Sequence, residues 1–193
     1  MTAVEAPSEL ATRLLQGEPA VIPTDTVVGL AAKPEHAQQL WQLKRRPADK
    51  PLILMAASAK PLLDAVEEHC HHDAWSLMDR HWPGALTLVL PAKGPLVELL
   101  NPGGNTLGLR IPACDLTLEL LRFSGPLATS SANPAGQSPA GSAAQAAVFF
   151  PDVAQLSQPW PSRSGLASSV VQWCSPGTWQ VLRQGAVMLK DVH

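Results

Sequence analysis

Proline punctuates this sequence. Nineteen of its 193 residues are proline and thirteen are glycine. Runs of regular pattern are therefore cut short by residues that lock φ, remove an amide donor or turn the chain freely. Sharp turns and short helices follow. The apolar fraction is 46% and the charged fraction 16%, which excludes a disordered chain. The length suits one domain with a substantial core, read here as residues 1–193.

Within those limits, strand-like and helix-like segments alternate. Ser8–Gln16 reads as an amphipathic helix stopped by Gly17, followed by a buried strand at Ala20–Ile22 and a second at Val27–Ala32. Pro34 opens a helix on which Ala37, Leu40, Trp41 and Lys44 share one face. Leu52–Met55 is strand-like, and helical stretches follow at Ala59–Glu68 and His72–His81. Strand patterns recur at Leu86–Leu90, Leu107–Pro112 and Leu127–Thr129, with Asp115 as N-cap of a helix over Leu116–Phe123. Ser169–Trp173 and Thr178–Leu182 flank a turn and predict a hairpin. The stretch from Asn133 to Ala147, rich in small and polar residues, predicts a mobile segment. No internal repeat is visible. The pattern is that of an α/β domain with an open, mixed sheet and flanking helices.

Four of the fourteen Lys and Arg residues fall at Lys44, Arg45, Arg46 and Lys50, although the formal net charge is −2. Such a cluster suits a multiply charged anion. It equally suits a helix end, where cations favour the carbonyl terminus and Pro47 stops the helix. The two readings are compatible.

Other motifs carry less. The chain has neither GxxxxGK[ST] nor a GxGxxG after a strand, so P-loop and Rossmann signatures do not apply, and no GxSxG elbow is present. His69-Cys70-His71-His72-Asp73 lacks a second group at ligand spacing and reads as a solvated loop. Cys70, Cys114 and Cys174 are odd in number and far apart, so they imply no disulfide framework. The N-terminus lacks a basic segment followed by an apolar one, and no apolar run reaches bilayer length. A soluble, cytoplasmic protein is expected. Thr24-Asp25-Thr26 and Ser130-Ser131-Ala132-Asn133 each follow a strand, where substrate groups often sit in α/β folds. Arg110 and Arg183 end apolar runs. Spacing alone does not bring them together.

Taken in order, these pieces resemble the YrdC-like family, the threonylcarbamoyl-AMP synthases. The matching segments are Pro23–Leu30, Leu43–Leu52, Trp82–Thr87, Leu109–Pro112, Thr129–Asn133 and Leu182–Gly185. The resemblance spans nearly the whole chain and matches the short, single-domain form. It implies a YrdC-like fold with a positively charged concave cleft. It also implies an enzyme, an L-threonylcarbamoyladenylate synthase, that joins L-threonine, bicarbonate and ATP and releases pyrophosphate. The nucleotidyl product serves a tRNA modification, through transfer proteins and possible contact with tRNA. By the same resemblance Lys44 and Arg46 are catalytic. Arg46, Lys50, Thr106, Thr129, Ser131, Asn133 and Arg183 contact ATP, and Thr26, Arg110 and Ser168 bind threonine. No protein metal site is expected; Mg²⁺ rides on the ATP phosphates.

Three departures from the family pattern stand out. Val28 replaces an aromatic residue, which predicts an altered pocket wall. Met55 stands where some members have His. Ser168-Ser169 replaces Ser-Thr, with Gln172 at a usually acidic position. Other functions stay open at this point. One is a non-synthase YrdC-like RNA-binding protein, against which the Lys44-x-Arg46 pair counts. A stand-alone RNA-binding module fits poorly with the net charge of −2. A carbamoyl-transfer domain of the kind found in hydrogenase maturation proteins normally lies in a longer chain with zinc-finger-like segments.

Overall fold

The computed structural model describes residues 2–48 and 50–188. In chain order the strands are β1 (Val4–Glu5), β2 (Ala20–Ile22), β3 (Gly29–Ala32), β4 (Ile53–Met55), β5 (Leu86–Pro91), β6 (Thr106–Arg110), β7 (Leu127–Ser131), β8 (Ala154–Leu156), β9 (Ser169–Ser175) and β10 (Thr178–Arg183). The helices are α1 (Pro7–Leu15), α2 (Gln38–Lys44), α3 (Lys60–Leu63), α4 (His71–His81), α5 (Pro95–Leu100), α6 (Asp115–Ser124) and α7 (Ala143–Phe149). The longest has 11 residues, as the proline content requires. Among the described residues all ten strands join one open sheet, in the order β1-β8-β2-β3-β7-β4-β6-β5-β9-β10. Parallel and antiparallel neighbours are mixed: β4 runs parallel to β6 but antiparallel to β7.

Strand alternation sorts the core onto two faces. Val21, Leu30, Leu54, Leu109 and Ala128 point to one, packed with Leu40 and Trp41 of α2 and Leu77 and Met78 of α4. Ile22, Ala31, Met55 and Leu127 point to the other, packed with Leu10 and Leu14 of α1 and Leu120 and Leu121 of α6. Helix α1 starts with Pro7 in its first turn, and Glu9 accepts from the Ala6 amide at 3.2 Å.

Several local expectations change. Pro34 opens a 3₁₀ turn, Pro34–His36, and α2 follows it. That helix ends before Pro47: Arg45 adopts a left-handed conformation (φ 51°), and the Arg46 amide returns to the Trp41 carbonyl at 3.0 Å. Asp115 is the first residue of α6 and makes no side-chain cap; Cys114 occupies the cap position. The stretch predicted as mobile carries α7 at its end, capped by Ser142 Oγ, which accepts from the Gln145 amide at 3.1 Å. The short elements β1, β8 and α5 have no counterpart in the sequence reading. His69-Cys70-His71-His72-Asp73 forms a turn and the start of α4. There the Asp73 carboxylate accepts from Trp173 Nε1 and the Gly177 amide, each at 2.8 Å, and so ties α4 to the β9–β10 hairpin. No helix among the described residues is long and apolar enough to cross a membrane.

Candidate active site

On the α1/α6 face, part of the sheet is left clear of helices. A cavity of about 290 Å³ lies there, floored by Ile22, Gly29, Ile53, Met55 and Thr129. It runs from the end of β2 to the end of β6, where Arg110 closes it, and Ser168 and Arg183 bound it at the base of the hairpin. Arg46, Ser130 and Ser131 line another side. Among the described residues the charged side chains lining it are three arginines, Arg46, Arg110 and Arg183.

Arg110 is 3% exposed. Its Nε donates to the Gly84 carbonyl (2.9 Å), Nη1 to Thr26 Oγ1 (2.9 Å) and Nη2 to Asp25 Oδ1 (2.6 Å). Three of its five N–H groups are thereby fixed and two remain for a ligand. Burial lowers its pKa, and the Asp25 carboxylate opposes that shift. Thr26 holds the guanidinium in place within a chain of hydroxyls: Thr24 Oγ1 lies 3.0 Å from Thr26 Oγ1 and donates to the Val27 carbonyl at 2.6 Å. Asp25 Oδ1 also accepts from the Ala113 amide at 3.1 Å, so the β2–β3 turn is locked to the end of β6. Asp25 lies in a turn that the sequence marks, but no role of its own falls to it there. Its neighbours, 85 and 88 residues away, give no local signal.

Arg183 donates through Nε to the Ser168 carbonyl (2.9 Å) and through Nη2 to Ser168 Oγ (3.1 Å). Ser168 Oγ in turn meets Thr87 Oγ1 at 2.9 Å. Burial lowers the Arg183 pKa as well. Arg46 reaches Ser130 Oγ with Nη1 (3.2 Å) and the Lys50 and Pro51 carbonyls with Nη2 (2.8 and 3.1 Å).

The remaining residues singled out by sequence lie elsewhere. Lys44 is 2% exposed and turns its ammonium into the Ser131–Asn133 turn behind the cavity wall. Asn133 sits in that network rather than on the wall; its Oδ1 accepts from Ser131 Oγ at 2.6 Å. Lys50 is exposed next to Arg46. Thr106 starts β6, four residues from Arg110 and so about 13 Å from it along the strand; Asn101 Nδ2 donates to its Oγ1 at 3.3 Å. Val28, where an altered wall was expected, is fully buried in the opposite core; Val27 lines the cavity instead. Met55 does line it.

Chemically the site offers fixed cations, hydroxyls and an apolar floor. Among the described residues no acidic side chain lines it, and no group of three His, Cys, Asp or Glu side chains is placed to hold a metal ion. Such a donor set suits a polyanion whose own oxygens carry a hard cation such as Mg²⁺.

Comparisons with known proteins bear on the family and the fold. The sequence model of the Sua5/YciO/YrdC family, described as "Telomere recombination", matches residues 12–185. A threonylcarbamoyl-AMP synthase of Pyrococcus abyssi is 33% identical over 185 residues, which cover 92% of this chain and 53% of that protein. One from Idiomarina loihiensis is 36% identical over 172 residues, 85% of this chain and 90% of that one. The crystal structure of P. abyssi Sua5 complexed with L-threonine superposes with a TM-score of 0.79 at 30% identity, covering 90% of this chain and 54% of that chain. The chain thus spans about half the length of the Pyrococcus protein and most of the Idiomarina one. Residues 12–185, which hold the sheet from β2 to β10 and every arginine of the cavity, make this chain a member of the Sua5/YciO/YrdC family.

Proposed function

We propose that the chain is an L-threonylcarbamoyladenylate synthase, condensing L-threonine, bicarbonate and ATP. The observation that carries this reading is the convergence of Arg46, Arg110 and Arg183 on one cavity lined by hydroxyls and, among the described residues, by no acidic side chain. Relatives named threonylcarbamoyl-AMP synthase support it, as does the threonine complex of a structural neighbour.

The chemistry follows from charge. The threonine amine and bicarbonate give a carbamate with loss of water. A carbamate oxygen then attacks the α-phosphorus of ATP, and pyrophosphate leaves with the electron pair of the broken P–O bond. Nucleophile and electrophile are both anionic, so the barrier is lowered by fixed cations and alignment rather than by a nucleophilic side chain. Arg110 presents its two remaining N–H groups to the threonine carboxylate, a pairing that suits the guanidinium fork. Thr26 and Ser168 position Arg110 and Arg183 respectively. Arg46 and Arg183 face the phosphates, with Thr129 and Ser131 beside them on the floor and wall. Lys50 extends the positive field at the rim. Mg²⁺ on the ATP phosphates supplies further charge neutralisation. The adenylate is then consumed in the cytoplasm by a transfer protein acting on tRNA.

The test is pyrophosphate release from pure protein with ATP, Mg²⁺, L-threonine and bicarbonate. Release that needs both threonine and bicarbonate is expected. Release without threonine, or no release, refutes the synthase. Salt-dependent tRNA binding without turnover would favour an RNA-binding protein instead.

A further inference from the structure

Lys44 carries a charge where a core residue would be expected. Its side chain is 2% exposed, yet its ammonium is turned from the cavity. Nζ donates to the carbonyls of Ser131 and Asn133 (the latter 2.9 Å), and to Asn133 Oδ1 (3.1 Å) and Ser131 Oγ (3.4 Å). The carbonyl of Lys44 itself accepts from the Ala135 amide at 2.8 Å. Residue 44 therefore grips the 131–135 turn at both its ends. Four oxygens converge on one nitrogen, and oxygens so placed repel one another unless a cation sits between them.

We propose that Lys44 is a positioning residue, whose ammonium sets the Ser131–Asn133 turn so that Ser131 meets the nucleotide and which makes no phosphate contact of its own. The proposal rests on reading the cavity as the ATP site.

The device depends on charge. An ammonium has three protons for these four acceptors; a neutral amine has two and a lone pair that must face a carbonyl oxygen. Burial, and then the nearby Arg46 guanidinium, lower the Lys44 pKa from 10.5 to about 8. Arg46 is the charged group that faces Lys44 from its own segment. Strand β3, strand β7 and the loop 132–142 that pack around it carry no titratable side chain. The turn should therefore lose its setting as pH rises through about 8.

Three measurements on the full chain test this. In the protein without nucleotide, the backbone amides of Asn133 and Ala135 should titrate together by NMR with a midpoint near pH 8, and Lys44→Met should abolish that titration. MgATP affinity by calorimetry should fall about tenfold from pH 7 to pH 9, the fraction of charged Lys44 setting the competent population. In Lys44→Met it should be weak and flat with pH. Finally, Ser131→Ala in the Lys44→Met background should cost little more, because Lys44 acts through Ser131. Amides that do not titrate, or additive losses in the double variant, would overturn the proposal. Absence of MgATP binding at every pH would overturn the synthase reading instead, while the amide titration would still decide the role of Lys44 in the turn.

Discussion

Asp25 holds Arg110, an arginine of the cavity, from outside the cavity lining. Its Oδ1 receives Arg110 Nη2 at 2.6 Å and the Ala113 amide at 3.1 Å, with side-chain exposures of 16% for Asp25 and 3% for Arg110. Asp25→Ala strands a buried guanidinium. Removing one partner of a buried pair costs about 3–5 kcal/mol, and since Asp25 is partly open to water we take the lower end, about 3 kcal/mol. Asp25→Asn keeps an acceptor at the same place, so both hydrogen bonds survive and only their charge assistance is lost, about 1 kcal/mol. Urea denaturation should therefore rank wild type above Asn above Ala. In the pyrophosphate assay, the Ala variant lets Arg110 drift and forfeits a charge-assisted bond to the threonine carboxylate. That raises the threonine KM roughly tenfold or more, while the ATP KM stays within about twofold. An Asn variant as unstable as Ala, or ATP and threonine KM values rising together, would refute the reasoning.

Arg45→Gly relieves the left-handed strain at φ 51°, a saving of about 1–2 kcal/mol partly offset by the greater freedom of glycine when unfolded. A small rise in the denaturation midpoint with unchanged turnover is expected, and a fall would contradict it. Lys44 should stabilise the fold more as pH rises, because its folded pKa of about 8 lies below its ordinary 10.5. The unfolded chain binds more protons between those values, so wild type should gain up to about 2–3 kcal/mol on Lys44→Met between pH 8 and 10.5. Nucleotide affinity moves the opposite way over the same range, which separates local setting of the turn from global stability. The Trp173 indole N–H and the Gly177 amide hold the Asp73 carboxyl below its ordinary 3.8. Its contribution is complete above that value and lost as pH falls through the lower folded pKa. The stability advantage of wild type over Asp73→Asn should accordingly shrink in acid; a constant difference from pH 5 to pH 2 would count against the contact.

Periodicity carried the long-range plan but not its punctuation. The face shared by Ala37, Leu40, Trp41 and Lys44 is buried as its spacing demands, although no spacing shows that Lys44 spends its charge inside. Proline at 47 drew attention as the helix stop, whereas the stop is an arginine in a conformation usually left to glycine. Strand β8 has three residues, Ala154–Leu156, too few to show alternation, and its Gln155 is buried because Nε2 reaches the Ala143 carbonyl at 3.1 Å. Thr106 came from the family pattern alone, and its place at the far end of β6 follows from strand geometry that the pattern does not contain. Ser168 and Arg183 were named separately, and their meeting follows from hairpin pairing, with Arg183 opposite Val170.

What fixes the three arginines explains both the chemistry and its partial legibility. Each guanidinium is anchored on backbone carbonyls: Arg46 on Lys50 and Pro51, Arg110 on Gly84, Arg183 on Ser168. A carbonyl dipole orients a guanidinium without cancelling its charge, whereas a carboxylate does both. Arg110 also has an ion pair, with Asp25. Arg110 is also the one that the proposed function asks to bind a single carboxylate rather than a chain of phosphates. Arg46 and Arg183 line the cavity where, on the proposed function, the larger negative charge of ATP is expected. Because any residue supplies a carbonyl, side-chain identity at 51, 84 and 168 says nothing about this anchoring. Sequence shows which cations are present; the path of the backbone decides where each is held.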